Sequence, residues 1–103
     1  MLLAPNFETF KTSVVKAEQL LKLLANQHRL QILCCLLQSE KSVGELEETL
    51  NLSQSAISQH LAKLRHSGIV SGQRRGQKIF YQLTNIEAHA ILTTLYLAYC
   101  KDK

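Results

Sequence analysis

Apolar residues recur every three or four positions along most of this chain, a spacing that predicts helices. In the first such stretch, from about Phe7 to Leu24, the steps alternate between three and four and form one narrow seam of coiled-coil type. The seam consists of Phe7, Phe10, Val14, Ala17, Leu21 and Leu24. Such a seam suits ordinary core packing and, on a terminal helix, contact with a second copy of the chain.

A second apolar stretch predicts a helix that Asn26 caps and that ends at about Gln38. The positions predicted to face the core are Leu30, Leu33, Cys34 and Leu37. Because Ile32, Cys35 and Leu36 populate another side, we expect this helix to be buried on more than one side.

A short helix, a tight turn and a longer helix come next. Ser42 and Glu45 form an S-x-x-E capping box for a helix that ends near Leu50, and Ser53 caps a helix that runs to about His66. The residues predicted to face inward in the longer helix are Ile57, Leu61 and Leu64. Those predicted to face outward are Gln54, Ser55, Ser58, Gln59 and Ala62. This two-sided pattern predicts a helix-turn-helix.

Alternation of apolar and polar residues predicts two strands, from about Ile69 to Gln73 and from Lys78 to Leu83. Their link, Arg74-Arg75-Gly76-Gln77, is predicted to be a hairpin tip that carries two cations. A capping box of Thr84 and Glu87 predicts a last helix that ends at about Cys100. The predicted fold is mainly α with a small β-hairpin wing: a winged helix-turn-helix with four helices, the hairpin and a fifth helix.

The distribution of charge adds a function to this fold. At 103 residues the chain is one domain with a net charge of +4, yet no Asp or Glu occurs between Glu48 and Glu87. The cations of this acid-free run are Lys63, Arg65, Arg74, Arg75 and Lys78. Most charge runs are solvated faces, but beside a helix-turn-helix this one favours double-stranded DNA as the partner.

The fourth helix carries side chains that can inspect bases, since Gln bonds adenine with two hydrogen bonds and Ser contacts several bases. His60 has two interpretations of similar weight, a contact with the DNA backbone or a half-buried side chain with a local partner. Lys63 and Arg65 are predicted phosphate ligands, or else they complement the C-terminus of their helix. The predicted DNA-binding set is Ser53, Gln54, Ser55, Ser58, Gln59, His60, Lys63, Arg65, Arg74, Arg75 and Lys78.

Several segments together resemble the ArsR/SmtB family of winged-helix repressors. They are A-N-Q-H-R-L-Q-I-L at 25–33, S-V-G-E-L at 42–46, L-S-Q-S-A-I-S-Q-H-L at 52–61 and G-I-V at 68–70. The resemblance covers nearly all of the single domain, residues 1–103. It implies a homodimer built from helices 7–24 and 86–100, bound to an imperfect palindromic operator and released by an inducer.

Many members of this family sense metals, and here the chain departs from their pattern. The third helix has Val43-Gly44-Glu45 where those sensors place Cys-x-Cys, and the last helix offers only Glu87 and His89. A closed zinc site needs about four converging ligands. We therefore expect no metal or other cofactor, and a metal-responsive repressor that uses Cys34, Cys100 and His89 is the alternative.

Two cysteines match a different branch of the family, the persulfide- and oxidant-responsive one, which includes HlyU-like proteins and biofilm growth-associated repressors. Cys34 follows R-L-Q-I-L and Cys100 follows Tyr99, as in that branch. The resemblance implies a redox-sensing dithiol that a persulfide or another oxidant closes. Periodicity alone favours Cys34 as a small buried hydrophobe. Cys35 points about 100° away from Cys34 and is not expected to join the bridge.

Other features exclude further classes of protein. The start, Met1 to Pro5, lacks the basic region and long apolar core of a signal peptide, so we expect a cytoplasmic protein. No membrane partner is expected, because no stretch approaches the length of a membrane span. No enzyme activity is expected, since there is no glycine-rich phosphate loop and no placeable set of catalytic residues. Two alternatives stay open: a DNA-binding protein without a switch that competes with a silencing protein, and a winged-helix module that binds proteins.

Overall fold

The computed structural model describes residues 6–101, and the predicted features of residues 1–5 lie outside this range. The elements in chain order are α1 (Phe7–Leu24), α2 (Gln27–Gln38), β1 (Lys41–Ser42), α3 (Val43–Thr49), α4 (Gln54–His66), β2 (Val70–Arg75), β3 (Lys78–Leu83) and α5 (Ile86–Tyr99). The predicted mainly helical fold with a hairpin wing is confirmed. No helix within 6–101 is both long enough and apolar enough to cross a membrane.

The predicted caps of α2, α3 and α4 are confirmed, and they explain where these helices begin. The side chain of Asn26 accepts the N–H groups of His28 and Arg29 in the first turn of α2. Ser42 and Glu45 form the reciprocal capping box of α3, with the Ser42 N–H 2.9 Å from Glu45 Oε1. The Ser53 hydroxyl accepts the N–H of Ala56 at 3.1 Å. These bonds fix the turn between α3 and α4 and thus the direction of α4.

The predicted capping box of α5 is wrong. Asn85, rather than Thr84, caps this helix, and its side chain accepts the N–H of Ala88 at 2.7 Å. The Thr84 N–H donates to the carbonyl oxygen of Ile69 at 3.0 Å. The Asn85 N–H donates to the same oxygen at 3.2 Å, so the connection from the sheet continues through both residues and the helix begins at Ile86.

The sheet of the described region has a third strand that the sequence did not predict. β1 pairs antiparallel with β3, which lies between β1 and β2. Lys41 faces Tyr81 and Ser42 faces Phe80 across this pair. A strand of two residues is too short to show alternation, so its sequence carries no signal. Phe80 of β3 is half-buried.

The predicted four-residue hairpin tip is also wrong, because β2 continues two residues further than expected. Arg74 and Arg75 lie in β2, paired with Ile79 and Lys78 respectively. The turn itself is Gly76 and Gln77, with Gly76 at a φ of 65°. Both arginines therefore have the alternating side-chain directions of a strand.

One hydrophobic core joins the five helices and β2. It consists of Leu24, Ile32, Leu33, Leu36, Leu46, Ile57, Leu61, Leu64, Ile69, Val70, Ala88 and Leu92. The core side predicted for α2 is partly wrong: Ile32 and Leu36 are buried with Leu33, whereas Cys34 and Leu37 are half-buried. The reason is that α2 packs against α1, α4, α5 and β3, as expected for a helix that is apolar nearly all round.

Candidate nucleic-acid interface and cysteine pair

One face of α4 is buried and the other is exposed, as the sequence predicts. Ile57, Leu61 and Leu64 are fully buried and hold the helix against the core. The exposed face carries Gln54, Ser55, Ser58, Gln59 and Ala62. This face therefore presents amides, hydroxyls and a methyl group, which are the groups that read base edges in the major groove.

A cleft of about 350 Å³ lies between the start of α3, the exposed face of α4 and the wing. Gln54 and Ser58 line it from α4, and Arg74, Gln77 and Lys78 line it from the wing. The structure thus brings two predicted phosphate ligands and two predicted base-reading residues to one concave surface. Within this cleft, cations on one wall and amide or hydroxyl groups on the other suit a sugar-phosphate backbone.

The two arginines of the wing lie on opposite faces of the sheet. Arg74 is paired with Ile79, and both line the cleft. The Arg75 guanidinium instead forms a bidentate ion pair with Glu40, with Nη2 2.9 Å from Oε1, and lies 5.1 Å from the ring of Phe80. The hydrogen bond from Arg75 lowers the pKa of the Glu40 carboxyl, so the pair stays charged at neutral pH.

His60 is half-buried and has a local partner, as the second interpretation of the sequence expects. Its ring meets that of His28 edge to face, with 5.9 Å between the centroids. Burial lowers the pKa of His60, and the positive charges of Arg29, His28 and Lys63 lower it further. Since the ordinary value already lies below 7, His60 adds no positive charge to this surface at neutral pH.

The remaining members of the predicted DNA-binding set lie at the two ends of α4. Ser53 is exposed, and its hydroxyl already accepts the capping bond described above. Lys63 and Arg65 are exposed in the last turn, where they complement the partial negative charge of the helix end. Lys63 lines a separate groove beside α1 together with Lys16 and Leu20. Lys63 thus lies away from the cleft.

The cysteine pair lies where α2 packs against α5. Cys34 is half-buried on α2, and Cys100 is exposed at the C-cap of α5. Burial raises the pKa of the Cys34 thiol, and the negative charges of Cys100 and then Cys35 raise it further. Cys34 and Cys100 thus lie on two helices that pack against each other.

Cys35 has different surroundings from Cys34. Burial raises the pKa of its thiol, while the positive charge of Lys41, at the start of β1, partly offsets that effect. Cys35 is half-buried and packs against the hydrophobic core. Across the described part of the chain, no three His, Cys, Asp or Glu side chains converge in a way that could hold a metal ion.

The fold and this surface define a class: a winged helix-turn-helix transcriptional regulator, here with an exposed polar face on α4 and a basic wing. The comparisons agree with that class. The family model described as "Bacterial regulatory protein, arsR family" matches residues 26–71. The chain belongs to the ArsR family of bacterial regulatory proteins, and the resemblance seen in its sequence is confirmed.

Its relatives fit the branch that the cysteines indicated. The transcriptional activator HlyU of Vibrio cholerae is 48% identical over 96 residues, which cover 93% of this chain and 89% of HlyU. A biofilm growth-associated repressor of Xylella fastidiosa is 43% identical over 84 residues, which cover 82% of this chain and 74% of the repressor.

A solved structure described as reduced HlyU from Vibrio cholerae superposes with a TM-score of 0.88 at 47% identity. The match covers 92% of this chain and all of that one. These relatives are transcriptional regulators and not enzymes.

Proposed function

We propose that this protein is a homodimeric, DNA-binding repressor whose affinity for its operator falls when reactive sulfur or another oxidant joins Cys34 to Cys100. The observation that carries this proposal is the placement of the two thiols on helices that pack against each other, Cys34 on α2 and Cys100 at the C-cap of α5. The influence of Cys100 on the pKa of Cys34 agrees with this placement. The name of one solved relative, reduced HlyU, specifies a redox state and supports a protein with thiol chemistry.

The dimer is supported by apolar side chains that one copy leaves uncovered. On α1 the exposed members are Phe7, Phe10, Val14, Val15 and Leu21, and on α5 they are Ile86, Tyr96, Leu97 and Tyr99. Soluble monomers rarely expose large contiguous apolar patches. A second copy that packs its α1 and α5 against these exposed side chains would remove them from water. The dimer would then carry two α4 helices, one for each half-site.

Replacing Val14 with glutamate is expected to dissociate the dimer. Val14 lies on the apolar seam of α1 with half of its surface exposed in one copy, so the change leaves the monomer fold intact but buries a charge in the interface. Sedimentation equilibrium should give the monomer mass of 11.6 kDa for this variant and twice that mass for the wild type.

The matched control is Thr12→Glu, which adds the same charge on the opposite, exposed face of α1. It should remain dimeric. A Val14→Glu variant that keeps the wild-type mass, or a wild type that sediments as a monomer, would contradict the proposed dimer.

The thiol chemistry balances with a persulfide, R–S–SH, as the oxidant. We assign the first attack to Cys100, which is exposed, because burial keeps Cys34 largely in its unreactive thiol form at neutral pH. The Cys100 thiolate takes the outer sulfur and releases R–SH. The Cys34 thiolate then attacks the inner sulfur of the Cys100 persulfide, forms the disulfide and expels hydrosulfide.

Over these two steps the dithiol is oxidised to a disulfide, and the outer sulfur of the persulfide is reduced to sulfide. The two thiol protons leave with R–SH and hydrogen sulfide. If Cys34 also carries an added sulfur, the same attack gives a trisulfide bridge. Either product ties α2 to α5, the proposed dimerisation helix. Because half-sites are about 34 Å apart, a small change in the spacing of the two α4 helices weakens binding at both.

The experiment that tests the switch compares cysteine variants on an operator selected with the reduced protein. Cys34→Ser and Cys100→Ser should bind the operator with and without glutathione persulfide, because neither can form the bridge. Cys35→Ser is the matched control, adjacent to Cys34 on the same helix, and should respond as the wild type does. Loss of the response in Cys35→Ser alone would contradict the assignment of the pair.

A second function is favoured by one observation: the relative that is 48% identical is named a transcriptional activator. A protein that relieves silencing by displacing another DNA-bound protein uses the same surface without a thiol switch. This second function predicts that the operator affinity of the wild-type protein does not change on treatment with persulfide. The metal-responsive alternative predicts instead a stoichiometric, tightly bound metal ion that releases the operator.

A further inference from the structure

An ion pair connects the end of α2 to the wing across the whole width of the sheet. Glu40 lies between α2 and β1, which is one edge of the sheet, and Arg75 is the last residue of β2, the other edge. The bidentate pair therefore spans β3. Gln73 Oε1 accepts a third hydrogen bond from Arg75 at 3.3 Å, and the ring of Phe80 on β3 lies beneath the guanidinium.

This arrangement is stronger than an ordinary surface ion pair. Single exposed pairs contribute little, but bidentate geometry and stacking on an aromatic ring both restrict the guanidinium. Gln73 and Phe80 lie on the sheet face of Arg75, as does its cross-strand neighbour Lys78. Lys78, beside the hairpin turn, also lines the cleft, whereas Arg75 does not. The cleft between α4 and the wing holds Arg74 on the opposite face. Arg75 therefore has its donors directed at Glu40 and Gln73, away from the base-reading residues.

We infer that Arg75 is a positioning residue, not a phosphate ligand: paired with Glu40, it holds the wing at the angle from which Arg74 and Lys78 reach the DNA. The inference rests on the proposed function, because it takes the cleft beside α4 as the DNA surface. It assigns a role to Glu40, an acid that would otherwise repel DNA. Removing this acid should weaken DNA binding, the opposite of the usual effect of removing a negative charge.

The test measures operator affinity and its salt dependence for Glu40→Gln, Arg75→Gln and the double variant. We expect each single change to weaken binding by about threefold to tenfold, and the double variant to be no weaker than either, because both break one interaction. The salt slope should stay at the wild-type value, because Arg74 and Lys78 still bind their phosphates in the complex and the variants lose affinity only through the free energy needed to order a looser wing. Arg74→Gln should instead reduce the slope by about one per half-site.

Glu48→Gln, which removes an exposed acid of α3 outside the pair, is the matched control and should bind at least as tightly as the wild type. Tighter binding by Glu40→Gln, or a reduced salt slope in Arg75→Gln, would overturn the inference and make Arg75 a phosphate ligand. If Arg74→Gln changes neither affinity nor slope, the proposed DNA surface fails and the inference fails with it. The two failures are therefore distinguishable.

Discussion

Replacing Ser58 and Gln59 with alanine, singly and together, is expected to weaken operator binding without unfolding the protein. Both side chains lie on the exposed face of α4, where they support no packing. A glutamine that bonds an adenine with two hydrogen bonds contributes about 1–3 kcal/mol of discrimination. A dimer would lose this contact at both half-sites. The factor by which the Gln59→Ala change weakens binding at one half-site should therefore apply twice, and the operator affinity of the dimer should fall by its square.

Fluorescence anisotropy with operator and with unrelated duplexes checks this expectation. Binding to unrelated DNA should stay near the wild-type value, because the phosphate ligands are unchanged. The thermal midpoint should also be unchanged. Operator affinity equal to that of the wild type in both single variants would contradict the assignment of α4 as the recognition helix.

The second large effect is on stability, and it comes from the opposite face of the same helix. Leu61→Ala should lower the free energy of unfolding by about 2–5 kcal/mol, since Leu61 is fully buried and its removal leaves a cavity in the core. That loss is a large part of the stability of a domain of this size. Urea denaturation followed by circular dichroism measures it directly.

The adjacent residue provides the control. Ala62 is exposed on the outward face, so Ala62→Ser should change the free energy of unfolding by no more than about 0.5 kcal/mol. A Leu61→Ala variant as stable as the wild type would show that α4 does not depend on the core for its position. The Ser58 and Gln59 variants test the exposed face of α4 for DNA binding, and the Leu61 variant with its Ala62 control tests the buried face for stability.

Most of the fold could be predicted because its signals are local. Caps such as Ser53 and the Ser42–Glu45 box lie within four residues of the backbone groups that they satisfy, so their sequence spacing is sufficient evidence. Errors arose where distant residues decide the outcome. The carbonyl oxygen of Ile69 accepts the N–H groups of both Thr84 and Asn85, so α5 begins only after them, and no local sequence pattern contains this contact.

The functional site divides in the same way. The exposed amides and hydroxyls of α4 follow from helical periodicity, and the structure places them as predicted. The pair of Glu40 and Arg75 does not follow from any pattern, because 35 positions separate the partners and the sheet order brings them together. For the same reason, periodicity alone favours Cys34 as a buried hydrophobe, and only the family resemblance indicates Cys100 as its partner.

The central claim is that a bridge between Cys34 and Cys100 releases the operator. The most direct measurement is operator affinity by fluorescence anisotropy before and after glutathione persulfide, with intact and peptide masses taken from the same samples. The account predicts loss of affinity together with a cross-linked peptide that joins Cys34 and Cys100, while Cys35 stays unmodified. Unchanged affinity in a fully bridged protein, or loss of affinity with modification at Cys35 alone, would contradict it.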